Sequence, residues 1–250
     1  MAKPALADVS DPVRQARIDL AAAYRIAAHL SYDDTIWNHF SLRVPGRDDL
    51  FLIKAHGLLF DEVTASNLLV VDRDGTVVEG RGKAERSAIC IHSRIHERIP
   101  RAACVLHTHM RHAKWLSTVE GGRLEAIHQN GLRFFGRISY DERFLGMATN
   151  LEEGVRIAEV LGDNDLAILA NHGAMSIGTS VAEAFYNLYY LEVSCEEQYM
   201  LSCSGKPPRL IDPGVAQSVL KDYENESDAP FEYLAAMKRR VERTEPDYRS

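Results

Sequence analysis

His107 and His109 close a small apolar run, Ala102-Ala103-Cys104-Val105-Leu106-His107-Thr108-His109. His172 closes a second, Leu166-Ala167-Ile168-Leu169-Ala170-Asn171-His172-Gly173. Side chains at i and i+2 of a strand share a face, so His107 and His109 can converge on one ion. A third imidazole from the end of another buried strand completes a three-nitrogen set with positions left for water or substrate. That is the pattern of a catalytic rather than a structural metal. The competing account, strand-end histidines bonded to ordinary neighbours, weakens when all three occur together. Glu85, in Gly80-Arg81-Gly82-Lys83-Ala84-Glu85-Arg86, is the fourth candidate. It would serve as a general acid or base beside the metal, working best with a pKa raised by burial or by a competing charge. Its structural alternative is a carboxylate favoured in a first helical turn by the helix dipole.

Alternating strands and helices must position these residues. Val13–Leu30 is an alanine-rich amphipathic helix. Trp37–Val44 and Leu50–Lys54 read as strands around Pro45-Gly46-Arg47-Asp48, and Leu68–Asp72 and Thr76–Glu79 as a hairpin. Ala84–Arg98 is periodic through Ala88, Ile91 and Ile95, and Pro100 stops it. Strands over Ala103–His107, Leu166–Asn171 and Ala174–Ile177 interleave with helices after His109, over Leu151–Leu161 and over Val181–Ser202. The alternation predicts an α/β class with a sheet covered on both faces. After Pro208 the chain turns polar, with a terminal helix over Phe231–Arg243.

The chain has 250 residues, 46% hydrophobic and 26% charged, enough for one large domain or two small ones. A formal charge of −7 argues against nucleic acid or an anionic membrane as partner. No apolar stretch reaches a membrane span, and Met1–Asp11 lacks a secretory apolar region. Cys90, Cys104, Cys195 and Cys203 have no zinc-type spacing, so reduced thiols in a cytoplasmic protein are expected. His107 to His112 approaches the His-x-His-x-Asp-His run of metallo-β-lactamase-like hydrolases, but Arg111 stands where an acidic ligand is needed. A cupin would be all-β, against the helices read here. His92 and His96 share a helix face without the glutamate of a zincin, and read as helix-surface or packing residues. His56, beside Gly57, falls in a plausible substrate loop.

Several ordered segments together resemble the class II aldolase/adducin family, from about Val13 to about Gly205. They are Asn38-His39-Phe40-Ser41-Leu42-Arg43-Val44, Phe51-Leu52-Ile53 with His56-Gly57-Leu58-Leu59, and Glu62-Val63-Thr64-Ala65-Ser66. Glu85, Val105-Leu106-His107-Thr108-His109, Asn171-His172-Gly173 and Val181-Ala182-Glu183-Ala184-Phe185-Tyr186 follow. The resemblance implies a single domain over residues 1–250, an α/β/α sandwich around a mostly antiparallel or mixed sheet. Its core would cover about 13–205, with a helical tail over about 209–250. It further implies a homotetramer with active sites between subunits, one divalent ion per subunit held by His107, His109 and His172, and Glu85 as catalytic acid/base. Zinc is the usual ion, with manganese or iron as alternatives.

Departures from the family pattern bear on the substrate. Where the sugar-phosphate aldolases hold phosphate with a Gly-Asn pair, a Thr-Gly pair and two serines, this chain carries Trp37-Asn38, His56-Gly57 and Lys83-Ala84. A proton-donating tyrosine of the fuculose-phosphate branch is replaced by Gln129. Asn38, His56, Gly57, Lys83 and Gln129 are therefore the expected substrate contacts, with Lys83 or His56 facing a carboxylate. The reading is a carbon–carbon lyase, decarboxylase or aldolase, acting on a small non-phosphorylated hydroxy- or oxo-acid through a metal-stabilised enolate. The alternatives are a dehydratase, epimerase or iron-dependent oxygenase on the same site, or an adducin-like interaction domain without catalysis.

Overall fold

His39–Val44 (β1) and Arg47–Ile53 (β2) form an antiparallel hairpin at the centre of the computed structural model, which describes residues 11–250. Leu69–Asp72 (β3), Val77–Glu79 (β4), Cys104–Thr108 (β5), Ile138–Asp141 (β6), Leu166–Leu169 (β7) and Gly173–Gly178 (β8) complete one eight-stranded sheet in the order β4-β3-β2-β1-β5-β8-β7-β6. Every neighbouring pair is antiparallel except β6 with β7. The sheet is thus mixed. The stretch Met1–Asp11 lies outside the described residues apart from Asp11.

Alternation along the strands sorts the two helical layers. Phe40 and Leu42 of β1 and Leu106 of β5 face a core shared with Pro12–His29 (α1), Arg111–Ser117 (α3), Val181–Cys203 (α5) and Ala229–Glu242 (α7). On the other face Val105, Met175 and Ile177 pack on Arg86–Arg98 (α2) and Leu151–Leu161 (α4) through Ile91, Ile95, Ile157 and Leu161. Each such buried aliphatic side chain contributes about 1.5–3 kcal/mol. α2 and α4 approach so closely that a Cβ on Gly154 would lie 1.9 Å from the Cys90 carbonyl oxygen, so only glycine fits there. The Tyr24 hydroxyl fastens α1 to β1, donating to Phe40 O at 2.6 Å and accepting from Phe40 N at 2.8 Å. The result is the α/β/α sandwich expected. Among the described residues no helix is long and apolar enough to cross a membrane.

The local structure departs from the sequence expectations at several points. Helix α2 begins at Arg86, with Glu85 as its N-cap rather than in its first turn. β7 stops at Leu169, because Asn171 takes a left-handed φ of 54° and turns the chain directly into β8. The edge strand β6 and the helix Pro213–Glu224 (α6) were not expected. β6 is four residues long, and α6 is mostly exposed, with its signal confined to the Asp212-Pro213 cap. Of the two readings of His92 and His96, packing holds rather than the helix surface, since both are buried.

Candidate functional site

His107 and His109 leave the end of β5, and His172 stands in the tight β7–β8 connection. One ring nitrogen of each lies within 4.8 Å of the others. The close approach depends on Gly173, where a Cβ would come 2.4 Å from the Thr108 carbonyl oxygen. His107 Nδ1 sits 3.0 Å from Ala174 O, and His109 Nδ1 sits 2.9 Å from Asp34 Oδ2. Carbonyl and carboxylate oxygens only accept, so both Nδ1 atoms donate and both Nε2 atoms carry lone pairs. Those lone pairs face each other at 3.2 Å. Two acceptors so placed repel unless a cation lies between them, and an outer-shell acceptor on Nδ1 is what ligand imidazoles normally have. Burial pushes His107 well below the ordinary imidazole value, with His172 and His109 adding to the effect. Burial likewise lowers His172 to about 4. Both rings are neutral at pH 7, as ligation requires. The donor set fits a divalent ion.

A cleft of about 430 Å³ opens over these imidazoles, lined by polar groups from the loop before β1 and the start of α2 and by an apolar rim. Glu85 lines it, half-buried, its Oε2 accepting from Ala88 N at 2.8 Å and from the Ser87 hydroxyl. Burial, the largest influence, raises the Glu85 carboxyl. The Ser87 hydroxyl, the Ser87 and Ala88 amides and His39 together outweigh it and hold the group below the ordinary carboxylate value. The environment thus lowers rather than raises the group, and Glu85 is a carboxylate at neutral pH.

Asn38, in a left-handed conformation with φ 65°, also lines the cleft. Its Oδ1 accepts from His109 N at 3.1 Å, while its buried Nδ2 has no partner among the described residues. The other expected substrate contacts are not brought to this chain's cleft. His56 N donates to Lys83 O at 2.8 Å, so these two do meet, and the His56 ring packs 5.6 Å from Trp37, which lines the cleft. Lys83 and Gly57 lie outside the lining. Gln129 is held elsewhere, at the start of a 3-10 turn (Gln129–Phe134) whose first carbonyl accepts from Tyr223. The cation of the cleft is instead Lys114 of α3, and Phe144 and Met147 form its exposed apolar rim. Asp34 and Lys114 carry no sequence signal. One follows a helix end and the other sits on a short helix, and only tertiary contacts bring them in.

The model of the class II aldolase and adducin N-terminal domain matches residues 18–199. The chain belongs to the class II aldolase/adducin family. An aldolase II superfamily protein from Pseudomonas syringae superposes with a TM-score of 0.90 at 38% identity, over 97% of this chain and 98% of that one. The L-fuculose 1-phosphate aldolase from Glaciozyma antarctica superposes with a TM-score of 0.85 at 26% identity, over 100% and 97%. Alpha-adducin from Rattus norvegicus is 36% identical over 206 residues, covering 79% of this chain and only 28% of the adducin. Its relatives thus include a named aldolase and a segment of a much longer adducin.

Proposed function

We propose that this family member is a metal-dependent carbon–carbon lyase, a decarboxylase or aldolase, acting on a small non-phosphorylated hydroxy- or oxo-acid. The reading rests above all on the facing Nε2 lone pairs of His107 and His109, with His172 completing the set and Glu85 on the same cleft. His107, His109 and His172 would hold one divalent ion, zinc foremost. Bound there, the ion would act as a Lewis acid on a substrate oxygen and stabilise negative charge as a carbon–carbon bond breaks.

The chain's own residues do the rest. In aldol cleavage Glu85, ionised at neutral pH, takes the proton of the substrate hydroxyl and returns it to the product carbon, and in decarboxylation it passes to that carbon a proton taken from water. Asn38 Nδ2 offers a hydrogen bond to a substrate oxygen. Lys114 meets the substrate carboxylate, the part earlier given to Lys83 and His56. Phe144 and Met147 keep bulk water from the reacting carbon. The whole chain works as one domain, in the cytoplasm, which suits its free cysteines, three of them buried. It assembles as a homotetramer whose neighbours close the open rim, where His56, Lys83 and Gln129 of an adjacent subunit can complete a site.

The test couples elemental analysis to a screen of hydroxy- and oxo-acids for release of carbon dioxide or aldehyde. The expected result is about one metal per chain with turnover of a carboxylate substrate. A protein that binds no divalent ion would instead support an adducin-like interaction role.

A further inference from the structure

Helix α2 meets the sheet through two chemistries. Toward β5 and β8 it offers Ile91 and Ile95 to apolar partners, but toward β1 it offers His92 and His96. β1 answers with His39 and Ser41, and all four are buried. Spacings of i, i+4 on the helix and i, i+2 on the strand put each pair on one face. The four form an unbroken hydrogen-bonded chain. His39 Nδ1 lies 2.8 Å from His92 Nε2, His92 Nδ1 lies 2.6 Å from Ser41 Oγ, and Ser41 Oγ lies 2.8 Å from His96 Nε2. His96 Nδ1 ends the chain 2.7 Å from Ala102 O.

That last carbonyl sets the direction of every bond. It only accepts, so His96 Nδ1 carries the hydrogen and His96 Nε2 a lone pair. Ser41 must donate to that lone pair, which leaves its oxygen to accept from His92 Nδ1. His92 Nε2 then accepts from His39 Nδ1, and His39 Nε2 is left bare. Burial favours the neutral rings, with His96 lowered to about 4 and His92 well below its ordinary value. At the cleft end His39 Nε2 lies 3.8 Å from Glu85 Oε2. A lone pair and a carboxylate both accept, so this pair is one proton short of a hydrogen bond.

We infer that His39 is a positioning residue for Glu85, locked by Ala102, His96, Ser41 and His92 into the tautomer whose bare Nε2 accepts a hydrogen bond from the acid form of Glu85. The inference rests on the reading of Glu85 as acid/base. The proton that Glu85 takes from substrate stays on its carboxyl oxygen, and the new hydrogen bond to His39 holds that proton in one place until it is returned. No proton enters the imidazole chain, and no charge is buried in it.

The test reads tautomers directly, without substrate, in long-range 15N–1H spectra of the purified protein labelled on histidine. His39, His92 and His96 should all carry hydrogen on Nδ1 with bare Nε2. Ser41→Ala should free His92 to donate from Nε2 and turn His39 over to the Nε2–H form, while Ser41→Thr, which keeps the hydroxyl, retains the wild-type pattern. Ser41→Ala, but not Ser41→Thr, should also lower kcat more than it raises KM for the substrate found by the screen, because an Nε2–H on His39 donates to the Glu85 carboxylate and no longer accepts from its acid form. Hydrogen on His39 Nε2 in the wild-type protein overturns the inference, even if the Ser41 variants do not fold. So does a Ser41→Ala enzyme that carries hydrogen on His39 Nε2 and turns over as the wild type does. Neither result touches the separate question of whether Glu85 is needed for turnover.

Discussion

The lone pairs of His107 and His109 face each other because their other nitrogens are already committed, to Ala174 and to Asp34. His107→Ala and His172→Ala are expected to lose most of the bound metal by elemental analysis. Asp34→Ala should keep the ligands and weaken metal binding by roughly 10–100-fold, since it removes only the acceptor that orients His109. A competition titration with a metal indicator separates these outcomes, and an Asp34 variant with unchanged affinity would count against the assignment. Glu85→Gln should retain metal and fold while turnover falls by roughly two to four powers of ten. Gln preserves an oxygen that can cap α2, whereas Ala would also remove a cap worth about 1 kcal/mol and confuse the result.

At the scale of elements, the β5–β8 pair and the β1–α2 layer carry the risk. Gly173→Ala would push a methyl group against the Thr108 carbonyl and force β5 and β8 apart. The expected cost is roughly 1–3 kcal/mol by urea unfolding, with metal affinity falling in step because His172 is the next residue. The β1–α2 layer predicts a pH dependence. His39, His92 and His96 bind protons more weakly when folded than when unfolded, so the unfolded chain gains protons first as pH falls. Stability should be full above about pH 6.5 and decline down to about pH 4, where His96 begins to titrate in the folded state. Unfolding midpoints of the chelated protein between pH 8 and pH 4 check the sign, and a flat profile from 7 to 5 would contradict the buried chain.

On the scale of the molecule, the polar end of the chain is tied to the first helix. Arg25 of α1, itself buried, reaches Glu245 at 3.0 Å, Asp247 at 2.8 Å and Val63 O at 2.9 Å. Tyr248 O accepts from Ala65 N at 2.8 Å, and the Tyr248 side chain is fully buried. Deleting residues 209–250 would leave the Arg25 guanidinium without its carboxylates. Tm should fall by more than about 4 °C, as each kcal/mol is worth roughly 2–4 °C at this size. The exposed rim at Phe144, Leu145 and Met147 has the character of a surface that a neighbouring subunit covers. Light scattering should find about four copies of the 28.0 kDa chain, and a monomer would remove the interfacial site from the account.

The three histidines, the α/β class and the order of the central elements were legible in the sequence, because each is written in a local code. A period of two places His107 and His109 together, and short apolar runs mark β5 and β7, though not the residue at which β7 ends. Glu85 was legible as a helix start, but its lowered pKa was not, since that depends on the Ser87 and His39 groups around it. Only the tertiary structure decided that Asp34 would orient His109 across 75 positions of chain, that Lys114 rather than Lys83 would supply the cleft's cation, and that His92 and His96 would turn inward. The physical reason is the same in each case. These contacts join elements far apart in sequence, between β1 and α2 or between a helix end and a strand end, and no local periodicity records which polar side chain will find which partner once the sheet has closed.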